Sequence, residues 1–291
     1  MKKDVLSYAH PAVIFLYFAG AVGCAMCTLH PAFVAVSLIV SGGYLAYLRG
    51  AAHYWRSLRY GLPVFLVIAL ANGFFNNLGL TVLFYIGYRP ITLEALVYGL
   101  CSGGMLLAVL QWFSCYQEVM SSDKFLSLFS RPLPTTSMMF SMVFRYIPDT
   151  IQKAREIQTT QLALTGGAPE SRKVRFRQGI RLASVLMGWS MENSIETADA
   201  MRSKGYGSRR RSRYEHERFT IYDRIALTVL ALLLGASLWI LFGWAGQFAF
   251  YPRISWPEGG WIWRLGLYGV FLAWPLILEG REWLQWRCCR L

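Results

Sequence analysis

Histidine and cysteine offer the widest catalytic and metal-binding chemistry in this chain, and their spacing favours neither use. Cys24 and Cys27 form a C-x-x-C pair, which in soluble domains binds metal or cycles between thiol and disulfide. Here the pair lies in an apolar segment without a second ligand pair, so we predict core-filling thiols, and we read Cys101 and Cys115 in the same way. The histidines are scattered at His10, His30, His53 and His216.

Motifs that would bind nucleotides or hydrolyse substrates are also missing from the sequence. It contains no G-x-x-x-x-G-K-[ST] loop, no H-E-x-x-H and no G-x-S-x-G. The sequence therefore predicts a non-catalytic chain with no cofactor and no metal site. A membrane-embedded enzyme stays open as the weaker alternative.

Two helical segments that end in glycine carry the remaining chemistry. Residues 161–167 read QLALTGG, and residues 198–207 read ADAMRSKGYG. Arg202 and Lys204 lie at the end of the second segment, where the helix dipole favours cations by about 0.3–1 kcal/mol. A helix of this kind can insert into a groove of another protein. Spacing alone equally allows a favourable helix cap and nothing more.

The composition of the whole chain, which includes these two helix ends, is that of a membrane protein. The chain has 291 residues, 55% hydrophobic and only 15% charged, against a soluble average of about 25% charged. Residues 118–224 hold 18 of the 29 Lys and Arg residues and 11 of the 16 Asp and Glu residues. The net charge of +13 is explained by basic segments between apolar spans, so we predict no nucleic-acid partner.

Hydropathy predicts an all-α, polytopic membrane protein with about six transmembrane helices. Four lie in an N-terminal transmembrane region, residues 1–117, and two in a C-terminal region with a tail, residues 224–291. A cytoplasmic helical coupling domain, residues 118–223, lies between them. The predicted spans are 11–29, 31–48, 61–86, 91–116, 225–244 and 261–278.

Loop charge predicts the orientation of these spans. The segment 49–60 carries Arg49, Arg56 and Arg59, whereas the link at His30 carries no basic residue. The positive-inside rule then places both termini and the polar middle in the cytoplasm. No cleavage site follows the first apolar run, so we predict no signal peptide. The expected location is a prokaryotic-type cell membrane, crossed several times, with the lipid bilayer as a partner.

Polar and small residues within the spans suggest helix packing. Amides at Asn72, Asn76, Asn77 and Gln111 are expected to hydrogen-bond neighbouring helices, for about 0.6–2 kcal/mol each. A transport path lined by these amides is the alternative. A G-x-x-x-G pattern in the fourth span, residues 99–103, predicts close helix approach.

Two further features of the middle stretch are a proline within a predicted helix and a run of arginines after the second glycine-ended helix. Pro148 removes a backbone donor and is expected to kink or restart its helix, so we assign Arg145 and Pro148 to a hinge. The arginines of residues 209–213 are expected to attract anionic lipid at about 1 kcal/mol each, with a specific docking role as the alternative.

Several of these stretches resemble one protein family. Residues 120–129 (MSSDKFLSLF), residues 143–148 (VFRYIP), the two glycine-ended helices and residues 204–214 (KGYGSRRRSRY) look like the EcfT- and CbiQ-like transmembrane T component of energy-coupling factor importers. That family belongs to the ATP-binding-cassette importers. The resemblance covers most of the middle stretch and the general arrangement of spans.

The resemblance implies partners. A T component sits between two cytoplasmic ATPase subunits and a small membrane protein that binds a vitamin or metal ion. Each of its two coupling helices ends in an Ala-Arg-Gly motif that docks into one ATPase. In this chain the second motif falls on Ser203, Lys204 and Gly205, beside Arg202.

The first motif falls on Leu164, Thr165 and Gly166, beside Ala163. Lys204 keeps the charge of the family arginine but not its planar fork, and Thr165 keeps neither charge nor length. We therefore expect unequal docking, in which the first motif relies on shape, on helix-end carbonyls or on another cation such as Arg155. A pair of non-identical ATPases fits this asymmetry.

These observations predict the coupling membrane subunit of an energy-coupling factor importer. Two other functions stay open. One is a stand-alone secondary transporter, which requires an intramembrane ion site that the sequence does not offer. The other is the membrane enzyme.

Overall fold

The computed structural model describes residues 6, 9–76, 79, 81–86, 89–129, 133–164, 171–207, 220–243, 248, 250 and 261–288. The chain divides into two compact units. Residues 1–125 and 218–291 form one, which we call the membrane unit, and residues 126–217 form the other, the middle unit.

The first two helices of the membrane unit begin at the same three-residue sequence, His-Pro-Ala. Helix α1 spans Pro11–Met26 and helix α2 spans Pro31–Arg49. The Nδ1 atoms of His10 and His30 accept hydrogen bonds from the backbone N–H groups of Ala12 and Ala32, at 3.2 and 3.3 Å. A proline at the first helical position supplies a fixed φ and has no N–H to satisfy. Two of the scattered histidines are therefore helix caps.

The third predicted span is shifted towards the N-terminus in the structure. Helix α3 spans Ala51–Phe75, so much of the predicted basic loop 49–60 is its first part. Strand β1, Val82–Ile86, then pairs antiparallel with strand β2, Arg89–Thr92. The prediction of a helix to residue 86 was wrong, because a run rich in aromatic and β-branched side chains also suits a strand.

Three further helices complete the membrane unit: α4 spans Leu93–Val119, α8 spans Ile221–Gly243 and α9 spans Trp261–Cys288. Helices α2, α3, α4, α8 and α9 are long and apolar enough to cross a membrane, while α1 is a shorter apolar helix of 16 residues. The all-α, polytopic class is confirmed. Five of the six predicted spans reach crossing length within the described part of the chain.

Aromatic side chains fill the core of the membrane unit. Tyr17, Phe18 and Trp112 are fully buried and meet edge to face, with ring centroids 5.1 to 6.4 Å apart. The hydroxyl of Tyr17 donates to the carbonyl of Leu272 at 2.7 Å, and the indole N–H of Trp112 donates to Ser37 Oγ at 3.1 Å. These bonds satisfy polar atoms that burial would otherwise leave without partners.

The thiols of α1 and α4 lie in the same interior. Cys24, Cys101 and Cys115 are buried and free, which confirms the prediction of core-filling thiols for these three, while Cys27 is exposed.

Two of the predicted amides within the spans bond neighbouring helices, as predicted. Gln111 Oε1 accepts from Ser41 Oγ of α2 at 2.7 Å, and Asn72 Nδ2 donates to Ser102 Oγ of α4 at 3.2 Å. Asn77 lies outside the described residues. Asn76, the cap residue of α3, instead donates to Asn72 Oδ1 of the same helix at 3.5 Å, so its predicted bond to a neighbouring helix is not found among the described residues.

The predicted close approach in the fourth span is also found. A methyl group on Gly99 would lie 2.6 Å from the carbonyl oxygen of Ala69, and one on Gly103 would lie 3.0 Å from that of Phe65. Helices α3 and α4 therefore meet backbone to backbone at these two glycines.

Two long helices belong to the middle unit, and a short helix before them begins in the membrane unit and ends in the middle unit. Helix α5 spans Ser122–Phe129, α6 spans Pro134–Leu164 and α7 spans Arg172–Ser203. The restart expected at Pro148 does not occur, because α6 continues through it. Pro148 is exposed, so water can bond the carbonyl that the proline leaves without its helical donor. The assignment of Arg145 and Pro148 to a hinge stays a prediction.

Candidate functional site

The middle unit presents apolar side chains in helical rows. On α6, Met139, Val143, Ile147 and Ile151 recur every four residues and are 47 to 67% exposed. Helix α7 buries no side chain at all, and Phe176, Ile180, Met187, Met191 and Ile195 are exposed along it. Rows of this extent on a helix surface are typical of a face that another protein covers.

A side-chain hydrogen bond joins helices α6 and α7, which also share a cleft. The hydroxyl groups of Tyr146 and Thr197 lie 2.8 Å apart. Beside them is a cleft of about 610 Å³, formed by ten residues from the two helices. Its lining is Arg145, Tyr146, Pro148, Asp149, Gln152, Asn193, Thr197, Ala200, Met201 and Lys204.

This cleft brings together residues that the sequence analysis assigned to separate roles. Arg145 and Pro148, the predicted hinge, face Lys204, a predicted docking residue. Arg145, Asp149 and Lys204 form no ion pair within the described part of the chain. The cleft therefore offers cationic donors and a carboxylate to a polar segment of another molecule.

The end of α7 has the hydrogen bonds of a Schellman cap. The N–H of Gly205 donates to the carbonyl of Arg202 at 2.9 Å, and the N–H of Tyr206 donates to that of Met201 at 3.0 Å. Gly205 has a φ of 79°, the left-handed conformation that this cap needs and that glycine adopts without strain. The glycine of the predicted motif is thus the residue that ends the helix.

The side chains at this end divide into bonded and unbonded groups. Ser203 Oγ donates to the carbonyl of Ala200 at 2.9 Å, so its hydroxyl is turned back on the helix. Arg202 and Lys204 are exposed and form no ion pair with any described residue. Two cations at a helix C-terminus are favourable for the helix and remain available to an acidic partner.

The end of α6 is different in character. Ala163 and Leu164 are exposed, Leu164 at 82%, and the last turn contains no basic residue. Thr165 and Gly166 lie outside the described residues. Leu164 is about 24 Å along the helix from Pro148 at 1.5 Å per residue, so this end is separate from the cleft.

Several polar residues that line the cleft beside the predicted hinge were not predicted from the sequence. Asp149 and Gln152 follow Arg145 by four and seven residues, and Thr197 follows Asn193 by four. These spacings place each set on one helix face. The recurrence of polar side chains every three or four residues is therefore the sequence signal that indicates these cleft residues.

Comparison with known proteins fits this architecture. The family model for CbiQ, described as a cobalt transport protein, matches residues 9–214. The chain belongs to the CbiQ family. The matched range contains α1 to α7, and with them the cleft and the capped end of α7.

Two relatives of this CbiQ-family chain are named energy-coupling factor transporter transmembrane protein EcfT. The one from Bacillus selenitireducens (strain ATCC 700615 / DSM 15326 / MLS10) is 25% identical over 224 residues, which cover 72% of this chain and 83% of the relative. The one from Lactobacillus helveticus (strain DPC 4571) is 27% identical over 115 residues, 39% of this chain and 42% of the relative. The resemblance to a T component is thereby confirmed, and the CbiQ-family chain is a multi-pass membrane component of a transporter.

Proposed function

We propose that this chain is the coupling subunit of an energy-coupling factor importer. It transmits ATP-driven motion of two cytoplasmic ATPase subunits to a separate membrane protein that binds the substrate, a vitamin or metal ion. The observation that carries the proposal is the end of α7, where a Schellman cap presents Arg202 and Lys204 without ion-pair partners among the described residues. An acidic groove on an ATPase is the partner that this end fits.

The exposed rows on α6 and α7 support two kinds of partner. The capped end of α7 offers charge, whereas the rows offer apolar surface along the helices. The free energy is lowered when another protein covers such apolar surface and removes it from water. We assign the charged end to an ATPase and the apolar rows to the substrate-binding membrane protein, with the middle unit and both termini in the cytoplasm.

The two ATPase-binding sites, at the ends of α6 and α7, obtain their positive charge from different residues. The last turn of α6 lacks a basic residue, but α7 begins with Arg172, Lys173 and Arg175 and has no acidic residue in its first turn. Cations are unfavourable at a helix N-terminus, and an acidic partner relieves that cost. These residues, with Arg155, supply the charge that Thr165 lacks, and non-identical ATPases fit the difference between the docks.

Transmission of motion requires α6 and α7 to act as levers. Closure of the ATPases around ATP moves the two docked ends relative to each other. The Tyr146–Thr197 contact and the cleft beside it lie where the helices meet, so displacement at one end changes the angle there. The chain itself does not hydrolyse ATP in this mechanism.

Co-expression of the chain with ABC-type ATPases and small membrane proteins from the same genome tests the proposal. We expect one detergent-stable complex that contains the chain, two ATPase subunits and a substrate-binding protein, and that hydrolyses ATP in liposomes. The purified chain alone should show no hydrolysis. Hydrolysis by the isolated chain, free of other ATPases, would end the proposal.

A short bismaleimide across Tyr146→Cys and Thr197→Cys, in a chain without its native cysteines, tests the lever. Linking the two positions should suppress coupled ATP hydrolysis in the assembled complex, and a reducible linker should restore it after reduction. Each single-cysteine variant, treated with the same reagent, is the control. Full activity of the linked complex would show that the helices need not move at this contact.

A further inference from the structure

The first part of α3 has the composition of a membrane–water interface. Trp55 and Tyr60 are 68 and 74% exposed, and Arg56 and Arg59 are exposed between them. From Leu62 onward the exposed side chains of α3 are apolar. Aromatic and basic residues mark the level of the lipid headgroups, and the apolar run marks the hydrocarbon. Residues 53–60 of α3 therefore lie at headgroup depth.

A slot between α3 and α4 begins at this level and continues into the apolar region. Its volume is about 360 Å³. The polar end is lined by His53, Arg56, Ser57 and Tyr60, and the rest by Gly61, Val64, Leu107, Leu110 and Gln111. The amide oxygen of Gln111 is turned to α2, where it accepts from Ser41 Oγ. The slot is thus polar at one end and mostly aliphatic at the other.

The charges around the slot are unequally matched. Both Nε and Nη2 of Arg49 lie 2.6 Å from Glu118 Oε2, so this carboxylate is neutralised. Arg49 Nη1 also donates to His53 Nε2 at 3.0 Å. Arg56 forms no ion pair or hydrogen bond with any described residue. The polar end of the slot therefore presents one unneutralised guanidinium.

We propose that this slot binds a phospholipid with an anionic headgroup. The lipid phosphate lies against Arg56, whose planar donors match phosphate oxygens, and His53, Ser57 and Tyr60 offer further hydrogen-bonding groups. An acyl chain lies against Val64, Leu107 and Leu110. Depth, charge and lining all fit this one class of ligand, and the site is independent of the ATPase docks.

Native mass spectrometry of the full chain, released from nanodiscs that contain phosphatidylglycerol or phosphatidylcholine, tests the proposal. Wild type should retain phosphatidylglycerol in preference to phosphatidylcholine. Arg56→Gln should lower that retention by about tenfold or more, since a charge-assisted bond is lost. Arg56→Lys, which keeps the charge, should retain part of it. Val64→Trp should fill the apolar end and displace both lipids.

Arg59→Gln is the matched control, because Arg59 is exposed on the same helix and does not line the slot. It should retain lipid within about twofold of wild type, because an exposed charge outside the slot makes no direct bond to the bound phosphate. Thermal unfolding of each variant checks that the fold is intact. Equal losses in Arg56→Gln and Arg59→Gln, or equal retention of the two lipids by wild type, would overturn the proposal. Displacement of the lipid by glycerol phosphate in solution would also overturn it, in favour of a free-phosphate site.

Discussion

Gly205 and Lys204 have separate physical roles at the end of α7. The left-handed φ of Gly205 lets the backbone close the Schellman cap, while Lys204 contributes a charge that no described residue neutralises. A side chain at residue 205 would strain the cap whatever its charge. Removal of the amine at residue 204 leaves the cap intact, because its bonds are made by the backbone.

Lys204→Ala should therefore weaken binding to the ATPases without affecting membrane insertion. Loss of a charge-assisted bond is worth about 1.5–3 kcal/mol, roughly 10- to 150-fold in affinity. Thr165→Ala should change affinity much less, because a hydroxyl offers at most about 0.5–1.5 kcal/mol. ATPase binding, measured by interferometry on the reconstituted chain, checks both values.

Lys153→Ala is the control for this comparison, since Lys153 is a lysine of α6 that Glu156 already pairs at 2.9 Å. The affinity of the Lys153→Ala chain for the ATPases should stay near that of wild type. Wild-type binding by Lys204→Ala together with a severe loss in Thr165→Ala would mean that the end of α6 is the dominant dock.

At the scale of elements, the α3–α4 pair depends on how closely two backbones approach. Gly99 faces the carbonyl of Ala69, and Gly103 faces that of Phe65. Dispersion and hydrogen bonding across such contacts drive helix association in lipid, where burial of apolar surface gives no advantage. Asn72 of α3 also bonds Ser102 of α4, and Gln111 joins α4 to α2 through Ser41.

Gly99→Ala and Gly73→Ala should have opposite effects on stability. A methyl group on Gly99 meets a backbone atom at 2.6 Å, which cannot move without separating the helices, so we expect a loss of about 1–3 kcal/mol. Gly73, inside α3, has open space at the same position, and alanine there should stabilise by about 0.5–1 kcal/mol. Thermal unfolding in one detergent measures both. Equal melting temperatures for the two variants would contradict the packing described here.

At the scale of the whole molecule, the distribution of basic residues predicts which segments of the chain lie on the cytoplasmic side of the membrane. The basic residues near residues 49–59 and those of the middle unit lie on one side if α1 to α4 each cross the membrane. The β1–β2 hairpin, between α3 and α4, then lies on the other side.

Cysteine labelling of intact cells tests this arrangement, in a chain without its native cysteines. Val82→Cys, on the hairpin, should react with a membrane-impermeant maleimide added outside, and Arg175→Cys, on α7, should react only after permeabilisation. Both side chains are exposed in the single chain. In cells that express the chain without its ATPases, access to the reagent therefore depends on the membrane. Labelling of Arg175→Cys from outside would reverse the predicted orientation.

The sequence by itself determined the membrane class, the polar middle stretch and the glycine-ended helix at residues 198–207. Each depends on local composition or spacing, since about 20 apolar residues must cross a bilayer and glycine takes the left-handed position of a helix cap. The family resemblance was carried by short motifs of the same local kind.

Only the tertiary structure decided that α3 begins at Ala51, that α6 continues through Pro148, and that Arg145 and Lys204 share one cleft. Hydropathy cannot separate an interfacial stretch of helix from a loop, because both are polar. An exposed proline can be tolerated where water bonds the freed carbonyl. Arg145 and Lys204 come together only because α6 packs against α7. The residues in contact between these helices lie about fifty positions apart in sequence. Local spacing cannot predict a contact between residues so far apart along the chain.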